Sequence, residues 1–173
     1  MHYTLTMTPV QARDRTTLPT SGTLSLVVHD EWDQDYYQHL QQKLRDYNRR
    51  VALGMEPPEA KPLNIRVENE AGEVVGGLAA VTYWGWLVIK LLVLDDAQRG
   101  NGLGLRLIDL AHREARAQGC TRAQTMTYDF QALQFYIKQG YRVIGQLEDY
   151  PENYTYYWLR KDFEIDDKSA DEA

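Results

Sequence analysis

A single cysteine, Cys120, occurs in 173 residues. That excludes an internal disulfide and any cysteine-based zinc cluster, and makes a reducing cytoplasm the default compartment. Serine is also sparse. Ser21, Ser25 and Ser169 lie outside any G-x-S-x-G elbow, which removes the usual serine-hydrolase arrangement. His29, His39 and His112 show no H-x-x-x-H spacing, so each reads as a surface or structural residue rather than a metal ligand. No apolar run approaches the ~18 residues of a membrane-crossing helix. The N-terminal stretch MHYTLTMTPVQARDRTTLPTSG lacks the basic-then-apolar order of a secretory signal. A soluble intracellular protein is the expectation.

What is present points to one packed domain. Hydrophobic residues make up 43% of the chain, too many for a disordered one, and the length suits a single core. The net charge of −6 is unevenly placed. The last twelve residues, DFEIDDKSADEA, carry six acids and one lysine, so the rest of the chain is close to neutral. Such a body is a poor nucleic-acid binder, because that function rests on clustered Lys and Arg. Arg106, Arg113, Arg116 and Arg122 are interleaved with Asp109 and Glu114, as on a solvated helix face. The expected organisation is an N-terminal extension over 1–22, a domain over 23–163 and an acidic, disordered tail over 164–173.

Periodicity and punctuation give the element order. A short strand is expected at Thr4–Thr8 within the extension. Leu24–Val28 is a β-branched strand, and Asp33–Leu53 reads as helix from Tyr37, Leu40, Leu44, Tyr47 and Val51. Three meander strands follow, Leu63–Glu68, Glu73–Tyr83 and Trp86–Leu94. The last of them, WLVIKLLVL, is apolar enough for a strand buried on both faces. Helix Gly102–Gln118 stops at Gly119, strand Thr121–Thr127 follows, and Phe130–Gln139 is a helix capped by Asp129 and stopped by Gly140. Tyr141–Gln146 and Tyr154–Leu159 close the chain. This predicts an α/β fold, a mixed central sheet with flanking helices.

Two segments carry chemistry. The first is Gln98–Gly104, QRGNGLG, between an apolar strand and an amphipathic helix. Bare backbone N–H groups and a helix N-terminus together make a cradle for a phosphate or pyrophosphate, and Arg99 can add a charged hydrogen bond. No Lys follows the glycines, so this is not a Walker A loop, and Leu105 stands where a dinucleotide fingerprint needs its third glycine. The alternative is an ordinary glycine-rich turn. The second segment is Asp129–Gly145, in which Ala132, Leu133, Phe135, Tyr136, Ile137 and Gln139 share one helical arc. Tyr136 lies near the middle of that arc, where its hydroxyl needs a partner.

Taken in order, R-x-x-G-x-G at Arg99–Gly104 and A-x-x-F-Y-x-x-x-G-Y at Ala132–Tyr141 resemble the GNAT superfamily of acetyl-CoA-dependent N-acetyltransferases. The likeness spans roughly Leu24 to Lys161 and is densest from Gly76, through GGL, RAQGC and the terminal YYWLRKDF. It implies the GNAT fold and acetyl transfer from acetyl-CoA to a primary amine by direct attack through a tetrahedral intermediate. It also implies that homodimers are common. By position, Leu92, Val93 and Leu94 would bond the pantetheine arm. The amides of Arg99, Gly100, Asn101, Gly102, Leu103, Gly104 and Leu105 would hold the pyrophosphate, and Tyr136 would be the general acid. Asp129 stands where the family often places a cofactor-contacting Asn, yet an ionised carboxylate cannot donate. Relatives carry an acid near position 90, where this chain has Lys90, so the general base stays open between Glu148, Asp149 and water. The aromatic residues Trp32, Tyr83, Trp84, Trp86 and Tyr150–Trp158 read as core or dimer surface ahead of an acceptor pocket. A sensor of the same fold that binds acyl-CoA without turnover is the rival reading; a retained Tyr136 argues against it.

Overall fold

The structure, a computed structural model, describes residues 14–19, 23–51 and 58–164. The strand expected at Thr4–Thr8 and the tail beyond residue 164 lie outside the described residues. These residues fall into two compact units, one ending at residue 56 and the other beginning at residue 57.

The first unit holds a hairpin and a helix. β1 (Asp14–Pro19) pairs antiparallel with β2 (Thr23–Val28), from Asp14 opposite Val28 to Pro19 opposite Thr23. β1 corrects the sequence reading, which placed no strand there: charged and threonine-rich DRTTLP has no apolar alternation, and pairing with β2 defines it. α1 (Gln34–Val51) starts where expected, with Asp33 Oδ1 accepting the Tyr36 N–H at 2.9 Å as an N-cap. Asp35 in its first turn and Arg49 and Arg50 in its last oppose the helix dipole. The helix buries none of its residues.

The second unit is a six-stranded mixed sheet in the order β3-β4-β5-β6-β8-β7. β3 (Lys61–Glu68), β4 (Val74–Tyr83) and β5 (Trp86–Leu94) form an antiparallel meander. Asn69 shapes the first turn by accepting the N–H groups of Ala71 and Glu73, and Trp84 and Gly85, both at positive φ, make the second. A Cβ at Gly77 would collide with the Ile65 carbonyl oxygen, which accounts for one glycine of the GGL segment. α2 (Leu103–Ala117) crosses over to β6 (Arg122–Tyr128), the one strand parallel to its neighbour β5. Next come α3 (Leu133–Lys138), β7 (Arg142–Leu147) and β8 (Tyr156–Asp162), with β8 inserted between β6 and β7.

The core lies on the face covered by α2 and α3. Ile108, Ala111 and Ala115 recur at helical spacing and join Leu78, Ala80, Leu87, Ile89, Ala123 and Leu159 in one buried cluster. Full burial of Leu87, Ile89, Ile108 and Leu159 contributes about 1.5–3 kcal/mol each.

Two further expectations need correcting. WLVIKLLVL has the expected bounds but not the expected burial: Leu87, Ile89 and Leu94 are buried, whereas Leu91 is 63% and Val93 54% exposed. Beyond Val88 this strand has no partner on its β6 side. The second correction concerns α3, which begins at Leu133, with no side-chain cap, rather than at Phe130 under an Asp129 cap. The Asp129 carboxylate instead accepts the N–H groups of Phe130 (2.7 Å) and Thr155 (2.9 Å), tying the end of β6 to the start of β8. Thr127 Oγ1, reaching from β6, takes the Ala132 N–H at 3.2 Å.

His112 is part of this core. Its Nε2 lies 2.8 Å from the Tyr141 hydroxyl, and its ring is 5.0 Å from that of Phe163. Burial first, then the positive charges of Lys161 and Arg116, lower its pKa to about 4. The unfolded chain therefore takes up this proton first as pH falls. The folded state is unaffected above about pH 6.5 and loses up to about 3 kcal/mol from this group as pH drops to about 4. Urea unfolding between pH 7 and 4 should accordingly show a shallower loss of stability in His112→Gln than in the wild type. Equal pH dependence in the two proteins would refute this.

Candidate active site

The site originates in a strand pair that separates. β5 and β6 are in register for only three pairs, Trp86–Arg122, Leu87–Ala123 and Val88–Gln124. On the other side of β5, a bulge leaves Lys90 between the pairs Ile89–Ala80 and Leu91–Ala79. A bulge bends and twists its strand, and past this one β5 keeps β4 as its partner while leaving β6. The space that opens is a cavity of about 810 Å³, within the range of small-molecule sites. Lys90, Leu91, Leu92, Val93 and Leu94 form one wall, and Thr125, Met126 and Thr127 the other. Alternate residues along β5 turn their backbone N–H and C=O groups toward this gap.

The glycine loop and α2 close one end. Gly100 (φ 78°) and Gly102 (φ 83°) adopt left-handed backbone, and a Cβ on either would project into open space, so bare backbone is presented there. Gly102 is the N-cap of α2, and the first-turn N–H groups that follow have no acceptor within the helix. Asn101 Oδ1 takes up one of them, that of Leu103, at 3.1 Å. Arg99 braces the loop, donating from Nε to the Leu94 carbonyl at 2.9 Å and pairing with Asp96 at 2.9 Å. An anionic group with several oxygens fits this end, where helix dipole, amides and guanidinium converge.

Tyr136 sits deep in the cavity wall at 5% exposure. The rings of Phe135 and Tyr141 meet it edge-on at 5.2 and 5.4 Å, which fixes its plane. Burial pushes its pKa up, and the polar Thr125 hydroxyl pulls the other way without reversing the shift. The phenol is thus a protonated donor at neutral pH.

Of the residues singled out from the sequence, Leu92, Val93, Leu94, Arg99, Gly100, Gly102, Gly104, Leu105 and Tyr136 line this one cavity. Asn101, Leu103 and Asp129 do not; the Asn101 side chain caps the loop, and the Asp129 carboxylate is occupied by its two amides. Nor do Glu148 and Asp149, which lie in the β7–β8 loop and bond to Gln146 and Asn153. Sequence reasoning missed Thr125 and Thr127. Their signal was two hydroxyls at alternate positions on the inward face of a strand, where apolar residues are expected.

Residues 25–141 match the acetyltransferase (GNAT) family. Blasticidin-S acetyltransferase of Streptomyces morookaense is 43% identical over 108 residues, 60% of this chain and 79% of that protein. Acetyltransferase Atu2258 of Agrobacterium fabrum is 31% identical over 81% of this chain and 100% of its own length. The crystal structure of an acetyltransferase from Bacillus cereus superposes with a TM-score of 0.70 at 26% identity, covering 78% of this chain and 96% of that one. The chain belongs to the GNAT family and is an acetyltransferase.

Gly104 offers a test in which two effects have opposite signs. A methyl group there would meet Phe135 at 3.6 Å and Leu94 at 3.9 Å, ordinary contacts, while narrowing the cavity. Gly104→Ala should stabilise the free protein by up to about 1 kcal/mol through helix propensity, yet reduce the rise in Tm that acetyl-CoA produces. A variant that keeps the full rise would show that acetyl-CoA does not lie against this turn.

Proposed function

We propose that this acetyltransferase moves an acetyl group from acetyl-CoA to a primary amine by direct attack through a tetrahedral intermediate. Family membership supports an acyl-CoA donor and an acceptor substrate. The observation that carries the mechanism is the buried Tyr136 side chain in the wall of the cavity between the parted strands. In this reading the amides of Gly100, Gly102, Gly104 and Leu105, with Arg99, hold the pyrophosphate, and β5 backbone from Leu92 to Leu94 takes the pantetheine arm. Asn101 and Leu103 shape the loop, and Asp129 braces the β6–α3 turn. Backbone N–H groups of β5 facing the gap would stabilise charge developing on the thioester oxygen. Tyr136 would protonate the departing thiolate, whose conjugate thiol has a pKa of about 8.5, below that of a phenol that stays protonated at neutral pH.

The acceptor is proposed by class only. The name of the 43%-identical relative makes blasticidin S a rational first member of an amine screen. We place the activity in the domain spanning 23–163 and the protein in the cytoplasm. The lone buried cysteine suits a reducing compartment, and among the described residues no helix is long and apolar enough to cross a membrane.

Tyr136→Phe keeps the ring contacts and removes only the donor. Turnover at saturating acetyl-CoA should fall by about 10²-fold or more, while the Tm gain from acetyl-CoA changes little, since one neutral hydrogen bond contributes only about 0.5–1.5 kcal/mol. A folded variant with the wild-type rate would remove Tyr136 from the chemistry.

A further inference from the structure

Among the described residues that line the cavity, only Lys90 and Arg99 carry charge, and none is an Asp or Glu. Arg99 is engaged at the glycine-loop end, with the Leu94 carbonyl and with Asp96. Lys90 has no hydrogen-bond or ion-pair partner among the described residues. Its place in the backbone is unusual too. It lies in the bulge between the pairs Ile89–Ala80 and Leu91–Ala79, and past Val88 its strand has no register partner in β6. A bulge beside a site re-aims a side chain. Leu91, Met126 and Phe130, which line the same cavity, are apolar and exposed. No carboxylate in these walls neutralises the Lys90 ammonium.

We propose that Lys90 selects the acceptor, a primary amine that also carries a carboxylate, by binding that carboxylate through its ammonium. This rests on the reading of the cavity as the acetyl-transfer site. In that reading the donor's pyrophosphate lies against the glycine loop, and its pantetheine arm runs back along β5 from Leu94 to Leu92. Lys90 then stands past the end of the arm, where the acetyl group and the attacking nitrogen meet. Two residues of strand separate it from Leu92, roughly 6–7 Å. Its ammonium is a compact charge on a flexible stem, suited to a carboxylate set a short distance from the attacking nitrogen. The contact is a charge-assisted hydrogen bond, about twice as strong as a neutral one. The same charge disfavours a polycationic acceptor, which would meet a positive wall with no acid to offset it. Attraction and rejection thus have one source.

The test measures thiol release from acetyl-CoA with primary amines in matched pairs, with and without a carboxylate. The pairs are phenylalanine with phenethylamine, para-aminomethylbenzoate with benzylamine, and the fastest amine of a wider screen with its counterpart. The proteins are the wild type, Lys90→Met, Lys90→Arg and Lys90→Glu, each with a melting curve. The fastest amine should carry a carboxylate. The preference in kcat/KM for the carboxylate-bearing member should fall by about tenfold or more in Lys90→Met, the size of one charged hydrogen bond. Lys90→Arg should keep most of it, and Lys90→Glu should reverse it. Differences in basicity between paired amines cancel when the preference is compared across variants. If Lys90→Met does not fold, Lys90→Gln takes its place. A fastest amine without a carboxylate, or a preference that survives in Lys90→Met, overturns the role of Lys90 while acetyl transfer stands. So does an equal loss with both members of a pair, which would give the charge an effect on every acceptor alike. No release with any amine overturns the acetyl-transfer reading, and this proposal with it.

Discussion

Everything about the site follows from two parallel strands that stay together for three residue pairs and then part. A sheet interrupted in its middle leaves backbone donors and acceptors facing a gap, and such groups need partners. Here the gap becomes a cavity whose walls combine an apolar strand, a hydroxyl-bearing strand and the start of a helix. The bulge at Lys90 lets β5 leave β6 without leaving β4, so the core beneath remains intact. Leu87 and Ile89 are sealed just before the separation, and Leu91 and Val93 are exposed just after it.

The parting also explains why the reactive pieces come from distant parts of the chain. α2 has to begin where β5 ends, so the glycine loop lies at one end of the gap. α3 follows β6 and brings Tyr136 against the other wall. Thr125 is a side chain at the fork, its hydroxyl donating from β6 to the Ile89 carbonyl of β5 at 3.4 Å. Beneath them, the His112–Tyr141 pair supports the Tyr136 ring through an edge-on contact. Tyr141 is held fully protonated by its burial and by the neighbouring Tyr136. The His112 and Tyr141 side chains beneath Tyr136 are therefore both uncharged at neutral pH.

Local signals made much of this legible. Gly119 and Gly140, at φ 82° and 80°, end their helices as their positions suggested. The bounds of WLVIKLLVL follow from its composition and the turn before it. Its exposure does not, because hydropathy records what a strand is made of and not where its neighbour departs. The Asp129 cap failed for a related reason: its carboxylate had a nonlocal competitor in the Thr155 amide. In the site, the glycine spacing and Tyr136 were readable, since sequence distance and helical phase carry them. Thr125 was not, because its place in the cavity wall comes from β5 and β6 parting beside it, which no local pattern records.

Amide hydrogen exchange with and without acetyl-CoA tests the central claim most directly, because it reports backbone groups rather than activity. If the coenzyme occupies the fork, exchange should slow among the amides of Leu91–Leu94 and Gly100–Arg106 and stay unchanged in β3 and β7. Binding that leaves both stretches unprotected, or protects a different part of the sheet, would contradict the account.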